Sequence, residues 1–454
     1  MRAISGAFDA FRSGEGLKGQ LLRGGVGSVA IKIGSTGLNV LLAIVLARAL
    51  GAEGFGVYSF VFALITIMAI PAQMGLPNLV VRETAKAQAA GDWALMKGLW
   101  RWSTLMALMM SAALMAIGAL AAWAFSNQLP QGGLTVFYWG LVLVPLVALG
   151  NLRGAALRGL RHVVQGQLPE FILRPAFLIA LVLGAHFGLS THALTASDAM
   201  MLHAVASLVA FIVGAWLLLR ARPLELTRSN AYSRGHLWLS STLPFAAIAG
   251  MNQLTKSTDL LLLGLLGEST EVGVYRIAAL AAELVAFGFT AIGMIAHPFM
   301  ARLHAENDMH QLQRFVSGCT VACVSLALPV LAVLVFAGRP ILLILVGEDF
   351  SASYGPLLIL AFAQFIRSAV GVVGPLVSMT GYERPAAGIL ACVLAANLAL
   401  NGALIPMYGI IGAAWATAAS LVLECGLLWL LAKRKLSIDT TIIPIIARRK
   451  NAAR

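Results

Sequence analysis

The chain runs apolar for about twenty residues at a time, repeatedly, from one end to the other, and this decides what it can fold into. A helix of about 20 residues spans the hydrocarbon of a bilayer, whereas a barrel strand alternates apolar and polar residues over roughly 10. A spanning segment must satisfy its own backbone N–H and C=O groups, so long unbroken runs predict helices. The charge content agrees. Only 11% of residues are charged and the mean hydropathy is +0.87, against about 25% charged in a soluble domain. The expected class is an all-α integral membrane protein.

Twelve transmembrane helices are expected, at 26–47, 56–77, 101–124, 135–152, 169–188, 198–219, 238–266, 274–296, 314–336, 354–376, 384–404 and 410–431. The seventh is long for one span and is interrupted by Asn252, Lys256 and Asp259, which suggests that its entry at 238–243 lies at the interface. With both termini cytoplasmic, the inner stretches hold 25 of the 32 Lys and Arg residues, and the opposite side holds only Arg48 and Arg339. That asymmetry follows the positive-inside rule. It explains the net charge of +13 as basic flanks against an anionic leaflet, so nucleic acid is not an expected partner.

The N-terminal stretch is polar and basic, and the first apolar run is too long for a signal-peptide core. Cleavage after Ala47-Arg48-Ala49 is therefore not expected. Cys319, Cys323, Cys392 and Cys425 all fall inside apolar segments and read as packing residues. No histidine pair stands at metal spacing and no phosphate-binding loop occurs. Neither a metal, a cofactor nor an enzymatic activity is expected.

An internal repeat organises the chain. Gly51-Ala52-Glu53-Gly54-Phe55-Gly56-Val57-Tyr58 finds its counterpart in Gly267 to Tyr275, with the tyrosines 217 positions apart. Ala89-Ala90-Gly91-Asp92 matches Ala305-Glu306-Asn307-Asp308, and Arg158-Gly159-Leu160 matches Thr380-Gly381-Tyr382 more weakly. Two parallel six-helix halves around a central cavity are the expected architecture. The segments are a cytoplasmic N-terminal segment 1–25, a first half 26–219, a cytoplasmic linker 220–237, a second half 238–431 and a basic cytoplasmic tail 432–454.

The loop after the second segment, Gly75 to Glu83, lacks the acidic and basic signature of the major facilitator superfamily. Four other stretches carry a resemblance: Ala47-Arg48-Ala49-Leu50-Gly51 running into Tyr58, Thr258-Asp259-Leu260 through Gly264 followed by Val272-Gly273-Val274-Tyr275, Met379-Thr380-Gly381-Tyr382-Glu383-Arg384, and Ile405-Pro406-Met407-Tyr408-Gly409 through Ala414. On these the chain resembles the polysaccharide (O-antigen type) flippases of the multidrug/oligosaccharidyl-lipid/polysaccharide exporter superfamily. The resemblance implies transfer of an undecaprenyl-pyrophosphate-linked oligosaccharide from the inner to the outer leaflet of the bacterial cytoplasmic membrane, by alternating access. This would serve cell-surface polysaccharide synthesis, including O-antigen and lipopolysaccharide. The implied partners are the lipid-linked oligosaccharide, membrane lipids and polysaccharide polymerase machinery. Two alternatives stay open: a drug/cation antiporter on the same scaffold, and a membrane glycan polymerase or transferase.

Ionisable residues in membrane helices cost about 2.5–3.5 kcal/mol each at mid-depth on insertion scales, so each needs a reason. Lys32, Asn39, Asn252, Lys256, Asp259, Arg276 and Arg367 are the candidate pathway residues. Lys256 and Asp259 stand three apart, placed either to neutralise each other or to line a cavity. Arg367 has no acid three or four residues away, which makes it the candidate for an anionic head group. Glu170 and Arg174, four apart with the acid first, read as a local pair. Asn397 and Asn401 read as links between helices.

Overall fold

The computed structural model describes residues 16–124, 133–189, 193–232 and 235–442. Residues 1–15 of the N-terminal segment and 443–454 of the basic tail lie outside them. The described chain is helical, with no strand. In order, the helices are α1 (Gly16–Gln73), α2 (Leu76–Ala90), α3 (Trp93–Ala124), α4 (Gly133–Gly159), α5 (Val163–Leu168), α6 (Arg174–Gly184), α7 (Ala196–Ala221), α8 (Leu224–Arg228), α9 (Gly235–Leu266), α10 (Ser269–Glu283), α11 (Phe287–Ala305), α12 (Met309–Val346), α13 (Tyr354–Val370), α14 (Val373–Met379) and α15 (Glu383–Leu436). Among the described residues eight helices are long and apolar enough to cross a membrane, or nine if the bent pair α10–α11 is one span.

Two helices far exceed one bilayer crossing, and each is broken by a glycine. In α1, Gly51 has φ 67 and ψ 179; in α15, Gly409 has φ 54 and ψ −131. Both lie in a region that a Cβ disfavours, so the breaks sit where only glycine is comfortable. Both belong to the motifs that carried the family resemblance.

The helices form two compact units. One comprises the described residues of Met1–Ala49 with Val61–Gln253, and the other Leu50–Phe60 with the described residues of Leu254–Arg454. In the first unit α4 packs closely along α7. Small residues allow it: the Arg153 guanidinium occupies the place a methyl would take at Gly214. A π turn at Pro169–Leu173 precedes α6. Pro175 has no N–H for the carbonyl of Phe171 and its ring crowds it, so the helix widens ahead of the proline. Helix α7 starts at a reciprocal cap, in which Thr195 and Asp198 each accept the other's backbone N–H. In the second unit, α11, α12, α14 and the end of α15 enclose a cluster that includes Met300, Leu312, Val316, Cys323, Val373, Leu376 and Leu428.

The sequence repeat is also a repeat in space. Inside the second unit, a methyl at Gly56 would collide with the carbonyl of Ser269, and one at Gly273 with the carbonyl of Ala52. Positions 52 and 56 map onto 269 and 273 at the 217-residue shift of the tyrosines. Each glycine thus receives the other repeat's equivalent carbonyl.

Several expectations need correction. The fourth segment does not stop at 152, because α4 continues to Gly159. Arg153, which a segment ending at 152 places among the cations of an inner loop at 153–168, is instead 5% exposed. The polar residues of the seventh segment do not interrupt it, since α9 is continuous from Gly235 to Leu266. The eighth segment bends by 51° between Glu283 and Phe287. The tenth breaks at Gly371, where φ is 80.

Candidate functional site

Asp259 is 6% exposed and Tyr275 fully buried. The Tyr275 hydroxyl, from α10, donates to Asp259 Oδ2 at 2.6 Å, and the Thr417 hydroxyl, from the second part of α15, lies 3.4 Å from that same oxygen. Asp259 Oδ1 accepts from the N–H of Leu260 at 2.8 Å. The repeat motif Val272-Gly273-Val274-Tyr275 places the phenol here, because Gly273 brings α10 close to the Leu50–Phe60 segment and Tyr275, two residues on and about 200° further round the helix, faces α9. Lys256 is exposed while Asp259 is buried, and no ion pair joins the two among the described residues. The i, i+3 partner is displaced by a tertiary one.

Arg367 stands in the last turn of α13. Its guanidinium lies over the ring of Phe289, 4.5 Å from the centroid, a cation–π contact. The C-terminal end of a helix also favours a cation. Among the described residues no carboxylate reaches it within 4.0 Å, so its charge is left without an acid. Gln364, one turn earlier, has a buried Oε1 with no hydrogen-bond partner among the described residues. Asn397 donates to Ser420 at 3.1 Å across the two parts of α15, and Asn401 donates to the carbonyl of Asn397 at 2.9 Å. Asn397 thus links the two parts as expected, whereas the bond of Asn401 stays within its own helix.

In the first unit, Glu170 in the π turn sits between two arginines. Arg153 Nη2 reaches its Oε1 at 3.2 Å and Arg174 Nη1 its Oε2 at 3.5 Å. Arg153 also donates to the carbonyls of Ala210 and Phe211, at 3.1 and 2.6 Å. The expected pair is present, but as part of a triad with a net positive charge. Gly150 makes room for the carboxylate, whose atoms lie where its Cβ would be. A buried ion pair holds only when its remaining donors are satisfied, and two helix carbonyls do much of that for Arg153.

The seven candidates therefore divide between the units. Lys32, Asn39 and Asn252 belong to the first, and Lys256, Asp259, Arg276 and Arg367 to the second. Lys32 is exposed; Asn39 donates to the carbonyl of Ser35 on its own helix at 2.7 Å. Asn252 is exposed and Arg276 half-buried. Among the described residues no hydrogen bond or ion pair joins Lys32 to Asn39 in the first unit, or Lys256, Asp259, Arg276 and Arg367 to one another in the second. Sequence reasoning missed Arg153, Tyr275 and Thr417 as partners. For Tyr275 a signal existed, since it closes the repeat motif two residues after Gly273.

Comparison with known proteins places this arrangement. The chain matches, over residues 45–354, the profile of a family described as polysaccharide biosynthesis protein. It is 24% identical over 405 residues to the probable low-salt glycan biosynthesis flippase Agl15 of Haloferax volcanii, covering 88% of this chain and 81% of that one. Among solved structures, the lipid II flippase MurJ in an inward closed conformation superposes with a TM-score of 0.71 at 11% identity, over 90% of this chain and 87% of MurJ. An inward-facing multidrug resistance MATE family transporter of the MOP superfamily gives 0.67 at 13%, over 89% and 94%. These are likenesses to transporters rather than to enzymes.

Proposed function

Because the chain belongs to the polysaccharide biosynthesis protein family, we propose that it is a flippase that carries a lipid-linked oligosaccharide from the inner to the outer leaflet. The family match over residues 45–354 carries the reading. The oligosaccharide rides on a polyprenyl pyrophosphate, undecaprenyl in a bacterium. The glycan and its charged head cross through a central cavity while the lipid tail stays in the bilayer. Membrane lipids are the medium, and the polymerase machinery that extends the delivered glycan is the proposed downstream partner.

The mechanism is alternating access by two parallel six-helix halves. In this reading the twelve spans are the eight helices that qualify among the described residues, with α1 and α15 each counted as two at their glycine breaks, the bent pair α10–α11, and α9. Both termini are cytoplasmic in this reading. Reporter fusions at Lys97, Arg161, Arg228, His310 and Lys435 then read inside and one at Ser353 outside. Fusions at Gln131 and Thr191, which lie outside the described residues, also read outside.

A pyrophosphate leaving water needs fixed positive charge or hydrogen-bond donors in exchange. Arg367 offers forked donors and has no acid to neutralise it among the described residues, with Lys256, Arg276 and Lys32 as further cations, and Asn39, Asn252 and Asp259 as polar contacts along the pathway. A cationic drug would instead call for unpaired carboxylates, and Asp259 is already engaged by Tyr275. The test is appearance of lipid-linked glycan on the outer leaflet, normalised to membrane-resident protein. Arg367→Lys retains part of the activity, Arg367→Ala loses most of it, and Arg367→Glu loses all of it. Near-normal export by Arg367→Glu would remove Arg367 from the pathway.

A further inference from the structure

We propose that residues 437–442 form a positioning strap, which holds the break between α13 and α14 and through it sets the placement of Arg367. The sequence reads this stretch as the start of a solvated basic tail. The structure buries it instead. Helix α15 ends at Leu436, and Ser437, at φ 56, turns the chain back. Ile438 is 1% exposed, inside the cluster that holds Leu312, Val316, Val373 and Leu376.

Three of the next four residues, Asp439, Thr440 and Ile442, bond to three different helices. On α12, the side chain of Gln313 pairs with the backbone of Asp439 in both directions. Its Nε2 donates to the Asp439 carbonyl at 2.7 Å and its Oε1 accepts the Asp439 N–H at 2.8 Å. On α15, the Trp429 indole donates to Asp439 Oδ1 at 3.0 Å. The Thr440 carbonyl accepts from the Thr320 hydroxyl of α12 at 2.8 Å. On α13, the Ile442 N–H donates to the carbonyl of Ala369 at 3.2 Å.

That last bond shows what the strap is for. In a continuous helix the N–H of Val373 would take the Ala369 carbonyl. Here Val373 bonds to Gly371 at 2.8 Å, and Gly371 bonds to Arg367 at 3.2 Å. The break thus orphans the Ala369 carbonyl, one of the unsatisfied groups of any helix end, and the strap supplies the donor. Gly371 lets it come close, since a Cβ there would meet the Thr320 hydroxyl and stand 2.8 Å from the Thr440 carbonyl. Arg367 lies two residues before Ala369. A tilt of the inner end of α13 must therefore either carry the strap along or break its bonds.

The role in transport rests on the flippase reading; the hold on the break does not. Amide exchange of residues 371–379 in the full-length protein in lipid nanodiscs tests the hold. Ile442→Pro removes the donor, and Gln313→Ala removes the α12 anchor. Each should speed exchange about fivefold or more, the effect of losing one net hydrogen bond. Ile442→Ala keeps the N–H and should stay near wild type. Unchanged exchange in both Ile442→Pro and Gln313→Ala overturns the strap. Glycan export tests the positioning: Ile442→Pro should reduce it severalfold, and should add nothing further to Arg367→Ala. Faster exchange with undiminished export overturns the positioning role. If the wild-type protein moves no lipid-linked glycan, the flippase reading fails with the placement claim, while the exchange result still decides the hold.

Discussion

The phenol of Tyr275 and the carboxylate of Asp259 share a 2.6 Å hydrogen bond between two buried side chains on consecutive helices. Neither side chain has water to fall back on, so each depends on the other. Tyr275→Phe removes the donor and leaves a buried acceptor short of a partner, which costs about 1–3 kcal/mol. The expected outcome is a lowered midpoint of thermal unfolding in lipid nanodiscs. Adding Asp259→Leu to Tyr275→Phe should recover part of the loss, since an apolar pair has nothing to satisfy. An additive double mutant would mean that the bond is not what links them.

The glycines at 56 and 273 admit no side chain. Gly56→Ala and Gly273→Ala each drive a methyl into a backbone carbonyl, so the helices must separate, at a cost of about 1–3 kcal/mol or more. Gly37→Ala is the control, because its Cβ meets nothing within 4 Å. It should be neutral or should stabilise by up to about 1 kcal/mol through helix propensity. The measurement is yield of folded, membrane-inserted protein together with its unfolding midpoint.

Arg153→Met should destabilise the first unit strongly, by about 3–5 kcal/mol, because Glu170 then keeps a single, longer contact to Arg174. Arg153→Met with Glu170→Gln should be the milder variant, as no carboxylate remains uncompensated. Comparison of their unfolding midpoints checks the order, and equal loss in both would assign the cost to packing against Gly214 instead.

Asp439 gives the strap a pH dependence. Its partial burial works to raise the carboxyl, but hydrogen bonds from Thr441 and Trp429 and the nearby Lys433 outweigh this and hold it below the usual carboxylate range. A depressed folded value contributes stability above the unfolded value of about 3.9 and loses it as pH falls through the folded one. The stability difference between wild type and Asp439→Asn should therefore be constant from neutral pH to about 5. It should shrink on further acidification. A difference that grew with acid would contradict the assignment.

The helical class was legible from hydropathy alone, and the repeat was legible from Gly56, Tyr58, Gly273 and Tyr275. The two glycine breaks fell inside recognised motifs, although nothing in those motifs marked them as breaks. Arg153 was not legible. A cation beside an apolar run reads as its end, and only Glu170 on another helix, with two carbonyls of α7, makes its burial tolerable. Lys256 and Asp259 misled for a related reason. Spacing along one helix shows which pairs can meet, whereas Tyr275, from the neighbouring helix, decided which pair did. The strap escaped because 437–442 carries no periodic pattern, and its order comes entirely from the helix ends it caps.

The crossing at Gly56 and Gly273 has one more consequence. Position 56 meets 269 while 273 meets 52, so each partner of the contact is the other's counterpart. That is the arrangement of an isologous interface between two identical subunits, realised here within a single polypeptide. A substitution on one side therefore alters the surface that its own duplicate must fit. The two copies of the motif are held to each other's shape, and because the atoms met at 52 and 269 are backbone carbonyls, no side-chain change there makes room for a methyl at 273 or 56.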